Sequence, residues 1–263
     1  MREYRYVILD PTGNLTALVT DPAEPEDEKS LTRELLKQSE QVAYLETASM
    51  PGAVAAIRLM GGEFCGNAAM AAAAWLVRDE LKPGQEISLL LEVSGAAEPV
   101  LCTVKAAETG YEGTVQMPAI AGIGAETLCG IPFTVVRMEG ITHLICEGIR
   151  LEKEEAESLL LRIAEQMQEE AVGLLQWDRE MQEMRPLVFV RGSESMVWEN
   201  GCGSGSAAIG ALEAFRSGQE KLTTPVRQPG GTIRVTTETE NGAVRSVSIT
   251  GRIRFGNINR IEV

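Results

Sequence analysis

The chain is short of histidine, with one in 263 residues, short of aromatics, at 5 %, and short of positive charge: 24 Lys and Arg stand against 38 Asp and Glu, for a formal charge of −14. A protein that neutralises phosphates needs a basic face, and neither half of this chain holds a Lys/Arg cluster, so nucleic acid is excluded as a default partner. No run of about 18 apolar residues occurs, and Met1 to Asp10 carries an acid too early for a secretory leader. A cytoplasmic location without a membrane partner is therefore expected. The five cysteines, Cys65, Cys102, Cys129, Cys146 and Cys202, are odd in number and never spaced CxxC, which argues for reduced thiols and against a zinc site or any other metal. No Rossmann or Walker glycine loop is present, so no cofactor is indicated. Small molecules and other protein subunits, a homodimer among them, remain as partners.

The length exceeds the usual single-domain size, and 44 % apolar with 24 % charged residues is ordinary globular composition. Two domains follow as the expectation: residues 1–119, completed by a last strand at about 253–263, and residues 120–252. Segments rich in Val, Ile, Leu and Thr alternate irregularly with a few helical stretches, which predicts an α+β fold and not a repeating βαβ wind. Amphipathic spacing predicts outer helices over Asp27–Gln38 and Lys153–Glu169. The stretches Gly66–Leu76 and Gly203–Leu212 are different, being small or apolar on nearly every side. A helix without a polar face is buried all round.

These two stretches form an internal repeat. Each follows a cysteine, Cys65 or Cys202, and the two cysteines stand 137 residues apart, about half the chain. A glycine that opens a strand follows each at a similar offset, Gly95 after 30 residues and Gly230 after 28. Two similar lobes, each a strand layer around one buried helix, are the natural inference. A thiol at a helix N-terminus meets unpaired N–H groups and the positive end of the dipole, which favour the thiolate and can also hold a carboxylate. The glycines after each cysteine let a ligand approach the backbone. Two such thiols suit a two-base proton transfer, in which one removes a Cα proton and the other protonates the opposite face. Buried, inert core cysteines are the plainer reading; the doubling tips the balance to function for this pair, while Cys102, Cys129 and Cys146 keep the plain one.

The segments Glu63–Ala69 and Glu199–Ala207 resemble the paired cysteine motifs of the diaminopimelate epimerase superfamily, racemases and epimerases that use no pyridoxal phosphate, and Pro11-Thr12-Gly13-Asn14 is similar to that family's opening substrate loop. The resemblance implies two pseudo-symmetric lobes, each a curved, mainly antiparallel, barrel-like sheet around a central helix, with a free amino acid between them. It implies Cys65 and Cys202 as the acid/base pair, the N–H groups of Gly66, Asn67, Gly203 and Ser204 on the α-carboxylate, and Asn14 near the substrate. The Glu-Arg-Gly run by which diaminopimelate epimerases grip the distal end of their substrate is replaced by Glu194 to Asn200, which removes the charged clamp for a second carboxylate. A narrower resemblance, carried by Glu40-Gln41-Val42, Trp198-Glu199-Asn200 and Gln228-Pro229-Gly230-Gly231 in addition, is to the histidine racemases of opine-type metallophore biosynthesis. It implies that Glu40 and His143 line the pocket. By its chemistry Glu40 can accept a hydrogen bond from an imidazole and His143 can orient the substrate or tune a thiol, and Trp198 and Asn200 stand close to where the epimerases supply their Arg. For both Glu40 and His143 a bland role remains open, a solvated carboxylate and a core histidine. Rival functions are another racemase or epimerase of the same fold, including diaminopimelate epimerase, an amino-acid-binding protein, and a redox sensor.

Overall fold

A computed structural model describes every residue except Ser193. The chain divides into two compact units, Met1–Gln116 with Thr250–Val263, and Met117–Ile249.

The first unit contains β1 (Glu3–Pro11), β2 (Thr16–Val19), α1 (Pro25–Leu35), β3 (Gln41–Glu46), β4 (Ala55–Leu59), α2 (Gly66–Val77), β5 (Glu86–Val93), β6 (Val100–Ala106) and β7 (Tyr111–Gln116). The second contains β8 (Ile120–Leu128), β9 (Ile131–Met138), β10 (Ile141–Glu147), α3 (Lys153–Met167), β11 (Ala171–Asp178), β12 (Glu183–Val190), β13 (Ser195–Trp198), α4 (Gly203–Ser217), β14 (Lys221–Gln228) and β15 (Gly231–Glu240). The last strand, β16 (Ala243–Glu262), starts in the second unit and ends in the first.

In the first unit the strand order β1-β2-β3-β4-β5-β6-β7-β16 closes on itself, because β16 also pairs with β1 in antiparallel register, Tyr4 opposite Ile261 and Leu9 opposite Phe255. Closure leaves this ring without an open edge. The second unit runs β16-β15-β14-β12-β11-β10-β9-β8, with β13 paired to β12. Each unit has two parallel neighbours, β2/β3 and β4/β5 in the first, β10/β11 and β12/β14 in the second. Parallel neighbours need a long crossover, and every one of these carries a helix: α1 and α2 in the first unit, α3 and α4 in the second. The mixed α+β architecture and the repeat read from the sequence are thus one topological pattern used twice.

The crossovers differ by composition. Helix α1 begins at Pro25, earlier than expected, since proline's fixed φ and missing N–H suit the first helical position, and acids fill its first turn. It ends at Leu35, short of Gln38, and buries Leu31 and Leu35 against Tyr4, Tyr6, Val19, Val42 and Tyr44. Each such leucine contributes about 1.5–3 kcal/mol by leaving water. Helix α3 is closed at its start by a capping box between Glu152 and Glu155 and buries Leu159, Leu160 and Ile163 against β10–β12. Helix α2 buries almost every residue, and α4 buries all but Ser204, Glu213 and its exposed last turn from Phe215. Their small residues permit the close approach: a Cβ on Gly210 of α4 would lie 2.3 Å from Val235 of β15. No helix among the described residues is long and apolar enough to cross a membrane.

Candidate active site

Both central helices open on a cysteine. Cys65 is the N-cap of α2, in extended conformation, and its Sγ accepts the N–H of Ala68 at 3.5 Å. Cys202 is the N-cap of α4 in the same way, its Sγ accepting the N–H of Gly205 at 3.3 Å. Ser, Thr, Asp and Asn are the side chains that cap helices well, so capping alone gives no reason for a thiol at either place.

The similar offsets of Gly95 and Gly230 acquire a physical meaning here. Gly95, at φ +74°, packs so close to the loop before Cys65 that a Cβ would lie 2.5 Å from the Phe64 nitrogen, while Ser94 Oγ donates to the Glu63 carbonyl at 2.8 Å. In the second unit Gly230 N–H donates to the Asn200 carbonyl at 2.8 Å. Each glycine turn therefore holds the backbone that delivers a cysteine to its helix.

Around Cys65 the first unit gathers Asn14, Glu40, Gln41 and Asn67. Gln41, 9 % exposed at the start of β3, donates through Nε2 to Asn14 Oδ1 (2.8 Å), Thr16 Oγ1 (2.8 Å) and Cys65 Sγ (3.3 Å). Asn67 Nδ2 also reaches Asn14 Oδ1, at 3.3 Å, and Asn14 Nδ2 donates to Glu40 Oε2 at 2.9 Å. The thiol itself points at Asn14 Oδ1 from 3.9 Å. Sulfur at this site is thus met by an amide N–H and a helix N–H, donors suited to a thiolate. Gly66 is buried behind it.

Cys202 has different surroundings. It is 2 % exposed; its N–H donates to Gln228 Oε1 at 2.6 Å, and Gln228 Nε2 donates in turn to Ser206 Oγ at 2.8 Å. Ser206 Oγ donates to the Cys202 carbonyl at 2.6 Å, closing a loop that fixes the cap on both sides. Ser204 Oγ lies 3.6 Å from the sulfur, and Gly203 is buried beside it. Burial pushes the Cys202 thiol well above its ordinary range, and the neighbouring Glu199 carboxylate adds to this by its charge and by accepting the thiol's hydrogen bond. Cys202 therefore holds its proton at neutral pH.

His143 lies in β10 with no exposed surface, and neither ring nitrogen has a hydrogen-bond partner among the described residues. Room for the ring comes from Gly173, its register partner on β11, where a Cβ would stand 2.3 Å from His143 Nδ1. Burial lowers the imidazole pKa from 6.5 to about 3, so it is neutral at pH 7. The Trp198 indole N–H donates to Glu157 of α3 at 2.9 Å and its ring packs on the α3 cluster under Arg185, which ties it to the outer helix. Cys102 and Cys146 are buried, with thiols raised to about 12 and about 11 by desolvation, as fits inert core residues. Among the described residues no group of His, Cys, Asp and Glu has the arrangement of a metal site.

Gln41, Gln228 and Glu199 are the residues around the two cysteines that residue-level reasoning left without a role. The available signal was positional: a glutamine at the edge of a strand in each repeat, both buried in the fold.

Similar proteins were found at three levels. A family model described as the histidine racemase CntK N-terminal domain matches residues 3–257. Histidine racemase from Staphylococcus aureus is 27 % identical over 93 % of this chain and 92 % of its own length, and histidine racemase from Fusobacterium nucleatum is 26 % identical over 78 % of this chain and 79 % of its own. Among solved structures, a hydroxyproline epimerase from Agrobacterium vitis with bound trans-4-hydroxy-L-proline superposes with a TM-score of 0.70 at 17 % identity, covering 99 % of this chain and 92 % of that one. A Bacillus anthracis phenazine biosynthesis protein of the PhzF family gives 0.71 at 12 % identity over the whole of both chains. The solved structures share the fold, and the family model spans nearly the entire sequence: the chain belongs to the histidine racemase CntK family.

Proposed function

We propose that the protein inverts the Cα of a free amino acid, histidine foremost, by a two-base proton transfer between Cys65 and Cys202 that needs no cofactor. The observation that carries this reading is the duplicated cap, a thiol heading a helix of small residues in each unit and fixed by a buried glutamine in each. A binding protein would need the helix starts but not the sulfurs.

One thiolate takes the Cα proton, and the electron pair left behind spreads into the substrate carboxylate. The other thiol gives its proton to the opposite face, so the two sulfurs exchange protonation states and the product is the mirror image. Cys202, kept protonated by burial and by Glu199, is the donor in the resting enzyme; Cys65, set among N–H donors, is the acceptor. The cap bonds occupy the N–H groups of Ala68 and Gly205. Those of Gly66, Asn67, Gly203 and Ser204 lie outside the helical ladder, and they are the donors for the carboxylate as its charge grows. Asn14 orients Glu40, whose carboxylate accepts from an imidazole N–H of the substrate. The names of the two curated relatives support histidine as that substrate.

Cys65→Ala and Cys202→Ala, assayed by chiral chromatography of L-histidine, are each expected to abolish racemisation while the fold, followed by circular dichroism, is kept. Turnover by either single variant would remove the two-base mechanism.

A further inference from the structure

We propose that a cleft at the far end of α4 binds a short organic carboxylate. The cleft has a volume of about 230 Å³ and lies among Trp177 of β11, Arg179 and Gln182 of the turn that follows, Glu213 of α4, and Leu222 and Thr224 of β14. At ~30 Å³ for each water, that is room for roughly seven waters or one small ligand. Glu213 is eleven residues beyond Cys202 along α4, about 16 Å at 1.5 Å per residue, so the cleft is separate from the thiol's cap.

Donors outnumber acceptors here. Glu213 is already met by two guanidinium groups, Arg179 Nε at 2.9 Å and Arg216 Nη1 at 3.3 Å, and Arg216 is balanced in turn by Glu147 at 2.6 Å. Arg179 spends only Nε on that contact; its two Nη nitrogens have no partner among the described residues. Trp177 is 2 % exposed and its Nε1 has no partner among the described residues. A buried donor left unpaired costs about 1–3 kcal/mol, which a ligand carrying acceptor oxygens recovers. Arg179 supplies the charge-assisted, fork-shaped contact that selects a carboxylate. Leu222 and the indole ring give an apolar wall that an inorganic oxoanion does not use, whereas a short carbon chain does.

The test is a titration of 15N-labelled protein with 3-hydroxybutyrate, following the three tryptophan indole N–H resonances, with the Trp177 signal assigned from Trp177→Phe. A saturable shift confined to the Trp177 signal is expected, with the dissociation constant raised about tenfold or more in Arg179→Gln, the equivalent of one charge-assisted contact. Sodium chloride at equal ionic strength is expected to leave the signal in place. Saturation by phosphate with equal affinity would replace a carboxylate site with a general oxoanion site and overturn the proposal. So would a Trp177 signal that does not move, or one that moves equally in Arg179→Gln. Racemisation in the absence of 3-hydroxybutyrate is expected to be unchanged in Arg179→Gln, which keeps this result independent of the catalytic reading.

Discussion

The lone histidine gives the enzyme a pH dependence of stability that can be worked out in advance. His143 is buried without partners, and desolvation lowers its pKa from 6.5 to about 3. In the unfolded chain the imidazole takes a proton as the pH falls below 6.5, whereas in the folded protein it stays neutral. The unfolded state therefore binds more protons, and stability is full above pH 6.5 and lost as the pH falls toward 3. Relative to pH 7 the loss is about 0.7 kcal/mol at pH 6 and about 2 kcal/mol at pH 5. Carboxylates add little in this window. Asp21 and Asp27 are held below the usual range by Arg5 and Arg2, and Glu92 by the N–H groups of Met50 and Ser49, so their losses come at lower pH. Urea unfolding of the wild type and of His143→Leu at pH 7, 6 and 5 measures this directly, with fluorescence of Trp177 and Trp198, in the same unit, as the probe. The wild type should lose about 2 kcal/mol between pH 7 and 5 and the leucine variant less than about 0.5. His143→Gln, also non-titrating, controls for the change of shape. Parallel losses in all three proteins would refute the reasoning.

Gly173→Ala drives a Cβ to 2.3 Å from the His143 ring; an over-packed core of this kind costs about 1–3 kcal/mol, seen as a lower urea midpoint at pH 7. Gln41→Leu removes the amide donor from the Cys65 sulfur, and loss of a hydrogen bond to a charged group, about 1.5–3 kcal/mol, predicts a kcat for histidine lower by roughly 10- to 100-fold in the folded enzyme. Glu40→Gln is expected to weaken turnover of histidine more than that of an apolar amino acid, because only histidine uses the carboxylate. Equal effects on kcat/KM for both would remove Glu40 from substrate recognition.

Much of the fold was legible because burial imposes composition. A helix enclosed by its unit cannot carry a polar face, so α2 and α4 announced themselves as small-residue runs, each with its cysteine at the first turn. The matching offsets of Gly95 and Gly230 were visible too, although their cause, tethering the loops before the cysteines, requires the folded chain. What escaped depends on contacts between residues far apart in sequence. The register in which β16 pairs with β1, Tyr4 opposite Ile261, is set by contacts between the two ends of the chain, which no local pattern encodes. Trp198 sits beside a motif residue in sequence, yet strand β13 turns its indole to Glu157 on α3. Gln41 and Gln228 look like surface amides until the strands bury them, Gln41 against the Cys65 sulfur and Gln228 against the Cys202 backbone N–H. His143 could be placed in a strand, but only the glycine opposite it, on β11, shows how its ring is housed.

The central claim is that two thiols alone exchange the Cα proton of histidine. Incubating L-histidine and, separately, D-histidine with the enzyme in heavy water, free of pyridoxal phosphate, and following the Cα proton by NMR tests it most directly. The account predicts loss of the Cα signal from both enantiomers, with deuterium in the inverted product, and no turnover in Cys65→Ala or Cys202→Ala. Retention of the Cα proton in both enantiomers, or inversion that keeps the original proton in the product without solvent deuterium, would contradict it.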